Sequence, residues 1–168
     1  MYMPNYLVTT TSLGLPSTLM MNTISLLGLS CLIPVFGWLS DHVGRKKIMF
    51  YAAFGLFLTA YPLFFTIHNH YTYILIPLII LDLFGAALLG TLGAILSELA
   101  TTASRFSLVA FSYNVPFAVF TGTVPLVSLF LMHQFHNEIL PAVYLALSAV
   151  VTLVVLLFIA DGKGRKLR

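Results

Sequence analysis

Five stretches of this chain are apolar over lengths that suit only a bilayer. They run over roughly residues 18–40, 48–67, 72–97, 106–132 and 140–160. Crossing a hydrocarbon core as an α-helix takes about 20 such residues. The stretches exceed strand length and lack the in-out alternation of barrel strands. Helices, which satisfy their backbone hydrogen bonds internally, are the form expected. Only 8% of the 168 residues are charged and 60% are hydrophobic, whereas a soluble domain carries roughly 25% charge. The fold class expected is therefore all-α and integral to a membrane, with lipid as the solvent of its outer faces. The first stretch starts too late for a leader and has neither a basic head nor a small-residue cleavage site. Cys31 is the lone cysteine, so it forms no intramolecular disulfide. The sequence pI near 9.1 does not point to nucleic acid, because the bases cluster beside apolar spans and no soluble module carries them.

Positions of the bases set an expected sidedness. All eight Lys and Arg residues fall in three places: Arg45, Lys46 and Lys47 in linker 41–47, Arg105 at the end of linker 98–105, and the tail with Lys163, Arg165, Lys166 and Arg168. Linkers 68–71 and 133–139 have none. Basic residues favour the cytoplasmic side, and here they alternate without exception. Residues 1–17 are thus expected to begin outside, 18–160 to form a five-helix bundle, and 161–168 to be a basic cytoplasmic tail. An external start fits either a true five-helix topology or a chain without the helix that would carry residue 1 across.

In lipid, helices associate through small and polar residues. The third stretch carries Asp82, Ala86, Gly90, Ala94 and Glu98 at spacing four, on one ridge. The first carries Thr18, Asn22, Ser25, Gly28 and Pro34; the fourth carries Ser107, Asn114, Ala118, Thr121, Gly122, Pro116 and Pro125. Besides small residues, the second offers only Thr59 and its tyrosines, and the fifth only Ser148 and Thr152. The first, third and fourth helices are expected inside the bundle and the second and fifth around it.

Asp82 is the sharpest single residue. It lies about ten residues into its stretch, roughly 15 Å at 1.5 Å per residue. A carboxylate at that depth costs about 2.5–3.5 kcal/mol on insertion scales. Two readings stand: a group that titrates a proton or contacts a solute, or a structural tie between helices. Asn22 and Asn114 are weaker candidates for the same site, with interhelical hydrogen bonding as their plainer role. His68, His70, His133 and His136 fall in or beside the external linkers at spacings that suit a metal, but only Glu138 joins them. No metal site or cofactor is expected. No nucleophile–base pair or phosphate loop is visible, so an enzyme is not expected either.

The first linker reads "GWLSDHVGRKK", Gly37 to Lys47. It resembles the signature G-x-L-[AS]-D-[RK]-x-G-R-[RK] of the major facilitator superfamily, departing from it only at His42, where a base is usual. Gly37 and Gly44 suit a tight turn and close helix approach. Asp41 can charge-match a helix N-terminus, and Arg45, beside Lys46, can pair with a carboxylate. "SELATTASRFSLVAFSYN", Ser97 to Asn114, resembles the segment joining helices ten and eleven in the metabolite:proton symporters, the group of the proline/betaine transporters. Thr101 stands where proline is usual there. "YMPNYL" resembles the outer end of helix seven and "LPAVYLAL" the start of helix twelve.

This resemblance covers nearly the whole chain. It implies helices eight to twelve of the twelve-helix fold, preceded by the outer end of helix seven. It further implies a share in proton-coupled symport of a small organic solute (an osmolyte, amino acid or carboxylate) across a bacterial inner membrane. The partners implied are the solute, protons and an N-terminal half-transporter. A gating network of Arg45, Glu98 and Arg105 at the cytoplasmic ends of helices eight, ten and eleven is expected, with Asp41 directed at the absent half. The alternative from a different class is a non-transporting membrane remnant or interaction subunit.

Overall fold

The computed structural model describes residues 7, 14–69, 74–99, 105–135 and 140–158. It contains five helices, α1 (Leu15–Val43), α2 (Arg45–Asn69), α3 (Leu75–Leu99), α4 (Arg105–Phe135) and α5 (Leu140–Phe158). All five are long and apolar enough to cross a membrane, and no strand occurs among the described residues. Each apolar stretch has become one helix, so the expected all-α membrane class holds.

α1 has 29 residues, about 43 Å at 1.5 Å per residue, and outruns a hydrocarbon core of about 30 Å. Gly14 caps it and a proline stands in its first turn, where a missing N–H costs nothing. Pro34, Pro62, Pro116 and Pro125 lie inside helices. Each removes one intrahelical bond, which a bundle in lipid tolerates where neighbouring groups re-satisfy the freed carbonyl.

Packing runs in a row: α1 against α3, α3 against α2, and α2 against α5. α1 and α3 run parallel, and α2, which links them in the chain, returns on the far side of α3 from α1. Close to the α1–α2 turn, Ile48, Ala52 and Ala87 are buried with Phe36 and Leu39 packed on them. Beside these, Met49 and Ile95 meet Leu156 of α5. At the other end Phe64, Ile67, Ile74, Leu78 and Ala142 close around Leu7. Phe84 of α3 lies over Gly55 of α2, where a β-carbon would run into its ring.

Within this chain alone, the buried core does not follow the expected division into inner and outer helices. α2 and α5, the helices poor in polar residues, carry much of the buried core. α4 touches its neighbours lightly and exposes Phe106, Phe111, Leu126 and Phe130. Small and polar residues mark faces that permit close approach, but they do not say which helix approaches. Bulky apolar side chains hold α2 to α3 and α5 by filling space.

Candidate functional site

Two polar assemblies lie on the α1–α3 seam, one within the span and one at its end. Small residues make the seam possible. At Gly90 a β-carbon would sit 2.6 Å from the Ile33 carbonyl oxygen and 3.1 Å from the Gly37 nitrogen. The backbones therefore touch, and only glycine fits. Ala86, one turn along, is fully buried. The ridge predicted from the spacing-four pattern is thus the face that α3 turns toward α1.

One turn beyond Ala86 the same ridge presents Asp82. The Ser25 hydroxyl of α1 donates a hydrogen bond to Asp82 Oδ2. Ser25 is buried, 5% exposed, and Asp82 is half-buried. Among the described residues Asp82 has no other hydrogen-bond partner. Asn22 is half-buried one turn before Ser25, on the same face of α1. Asn114 is exposed on α4, and its amide nitrogen donates to the Ala110 carbonyl of its own helix at 2.8 Å. The interhelical bond expected of Asn114 is not the bond it makes. Asp82 and Ser25 come together, with Asn22 on the same face of α1 as Ser25; Asn114 does not join them.

The second assembly forms where the signature sequence turns. The expected linker 41–47 shrinks to one non-helical residue, Gly44, at φ 112° and ψ 127°. That backbone is open to glycine and strained for any residue with a β-carbon. The Gly44 N–H donates to the Ser40 carbonyl at 3.0 Å, and the Ile48 N–H donates to Gly44 at 3.2 Å. Asp41 stands in the last turn of α1 and Arg45 opens α2. Arg45 donates to Asp41 Oδ1 at 2.9 Å and also to Glu98 of α3. One guanidinium thereby ties the ends of three helices, using its planar fork of donors. Lys46 follows, half-buried, in the first turn of α2. Asp41, expected to await a partner outside the chain, is held by Arg45 instead. An aspartate four residues before an arginine is within reach once the intervening turn is this short. His42, in place of the usual base, lies against Trp38 with ring centroids 4.5 Å apart and the ring planes tilted by 48°.

Arg105 opens α4, but its side chain is outside the described residues. The same holds for the side chains of the four linker histidines. Among the described residues no three metal-ligating side chains gather.

Sequence reasoning misses two roles. Ser25 is visible in the sequence only as one of several small polar residues, although its place three after Asn22 puts it on the polar face. Gly90 stands out there as part of a ridge, not as its point of closest contact.

Membrane-length helices seamed by small residues around a half-buried carboxylate, and tied at one end by an ion-paired glycine turn, define an integral membrane helix bundle. The chain belongs to the Major Facilitator Superfamily, whose family model matches residues 1–167. It is similar to the ectoine/proline transporter ProP of Corynebacterium glutamicum, 32% identical over 168 residues, 99% of this chain and 33% of that protein. It is also similar to the glycine betaine/proline/ectoine/pipecolic acid transporter OusA of Dickeya dadantii, at 28% identity over 99% of this chain and 33% of that protein. The proline/betaine transporter of Escherichia coli is 27% identical over 99% of this chain and 33% of its own length. The chain thus spans about a third of the length of the curated relatives it matches. No solved structure matches it significantly.

Proposed function

We propose that the chain forms the C-terminal half of a secondary transporter, corresponding to helices eight to twelve, that works by alternating access together with an N-terminal half. The solute is small and zwitterionic, of the proline and betaine type that the relatives are named for, and passes unaltered. Uptake is coupled to protons, with Asp82 as the coupling group and Asn22, on the Ser25 face of α1, as a further candidate. The membrane is the bacterial inner membrane, with the N-terminus outside and the C-terminus cytoplasmic. Gly37, Asp41, Gly44, Arg45, Lys46, Glu98 and Arg105 form the cytoplasmic gate.

The observation that carries this reading is Asp82 within the span of α3, half-buried against α1 and bonded there only by a neutral hydroxyl. An ionisable group at membrane depth that faces protein rather than lipid marks a path for ions or solute. Such sites in secondary transporters lie where two repeats meet, so one half alone supplies one wall.

The test is uptake of radiolabelled proline and glycine betaine in proteoliposomes. The chain alone is expected to show none, and the chain with a matching six-helix N-terminal half to accumulate solute on a pH gradient. In that assembly Asp82→Asn is expected to lose gradient-driven accumulation and keep some solute exchange. Uptake by the lone chain overturns the half-transporter reading, and full accumulation in Asp82→Asn overturns the coupling role. Stable insertion without uptake in every pairing points to the non-transporting reading.

A further inference from the structure

Ser25 behaves unlike the other described hydroxyl residues. Where those make a hydrogen bond, it goes to a carbonyl three or four residues back in their own helix. Thr23 donates to Leu19 at 2.8 Å, Ser30 to Leu26 at 2.9 Å, Thr59 to Gly55 at 2.7 Å and Thr91 to Ala87 at 2.8 Å. Back-bonding is the default for serine and threonine in helices. Ser25 forgoes it and reaches across the seam to Asp82 Oδ2.

A hydroxyl has one proton to donate. While Asp82 is a carboxylate, that proton is committed to α3. When Asp82 takes up a proton at Oδ1, Oδ2 becomes the carbonyl oxygen of the acid and still accepts from Ser25, as a weaker acceptor than the carboxylate.

The groups facing Asp82 leave this exchange uncomplicated. Charged side chains of the described α1 and α2 are confined to the turn from Asp41 to Lys47. Tyr51 and Tyr61 of α2 are exposed, α5 offers Tyr144, and Tyr113 of α4 is stacked on Phe117. None of them bonds to Asp82 among the described residues.

We propose that Ser25 is the positioning residue for Asp82, fixing Oδ2 so that the proton loads at Oδ1, and that the weakening of this bond on protonation couples Asp82 to the α1–α3 seam. This rests on the reading of Asp82 as the coupling group. The proton arrives from one aqueous side, adds to the carboxylate, and leaves to the other; no other bond changes.

The experiment has two arms on the full chain. In lipid alone, infrared difference spectra on acidification report the C=O stretch of protonated Asp82, assigned by its loss in Asp82→Asn. Ser25→Ala is expected to move that band to higher frequency, Ser25→Thr to restore it, and Thr23→Ala to leave it in place. With the six-helix half added, Ser25→Ala is expected to lower gradient-driven accumulation more than solute exchange, and Ser25→Thr to recover it. An unmoved band in Ser25→Ala overturns the positioning role whatever transport does. A shifted band with unchanged accumulation overturns the link to coupling while leaving the Asp82 reading intact. Full accumulation in Asp82→Asn removes that reading and this proposal together.

Discussion

Gly90 of α3 and Ile33 of α1 meet backbone to backbone: a β-carbon at position 90 would lie 2.6 Å from the Ile33 carbonyl oxygen. The contact sits between the two polar assemblies, so it sets the spacing at which Ser25 reaches Asp82 and Arg45 reaches Glu98.

Gly90→Ala is therefore expected to force the helices apart. Overpacking of this kind costs about 1–3 kcal/mol. A β-carbon at Gly93 would meet nothing within 4 Å, so Gly93→Ala serves as the control and is expected to be neutral or mildly stabilising through helix propensity. Unfolding of the reconstituted chain in denaturing detergent measures both. Equal stability of the two variants would contradict the backbone contact.

Gly44→Ala is expected to cost about 1–3 kcal/mol, the range for a residue forced into a sparsely populated backbone region. Asparagine tolerates the left-handed helical well near about φ +57°, ψ +47°. At φ 112°, ψ 127° it gains nothing from that tolerance, so Gly44→Asn should not rescue. The same unfolding measurement decides it.

Arg45→Ala and Glu98→Gln each remove one side of a pair that is only partly shielded, with side chains 26% and 32% exposed. Solvent screening keeps such pairs to about 1 kcal/mol or less. Each variant is expected to open the Gly44 end of the assembled transporter by up to about fivefold, read as faster labelling of a cysteine placed at Ser97. Swapping the charges, Arg45→Glu with Glu98→Arg, should recover part of the loss. Unchanged labelling in both single variants would remove the gate reading.

Orientation is checked with single cysteines in a Cys31→Ser background. Those at His70 and Gln134 are expected to label from outside in intact cells, and one at Lys163 only after permeabilisation. The reverse pattern would invert the topology.

Hydropathy and length make the five helices legible, because nothing but a membrane span accounts for Leu75 to Leu99 with so little charge. The spacing-four ridge from Asp82 to Glu98 gives away the face of α3, since small residues on one helical face serve close approach. It cannot name the partner. Gly37 and Gly90 are far apart in sequence, and their contact depends on the whole path of α2 between them. Asp41 illustrates a different gap: a loop of seven residues would have left it free, and the continuation of both helices to Gly44 delivers it to Arg45. Ser25 stays hidden because its residue type usually bonds within its own helix, so composition gives no hint of a bond across the seam.

The turn at Gly44 also limits how the gene can vary. With a single residue between α1 and α2, there is no slack to absorb a change in length. One inserted residue there would rotate α2 by about 100° around its axis, carrying Arg45 away from Asp41 and Glu98 and turning Phe84's landing site at Gly55 off α3. Substitutions around the turn are graded in their effects, whereas a one-codon insertion or deletion would scramble three helix contacts at once.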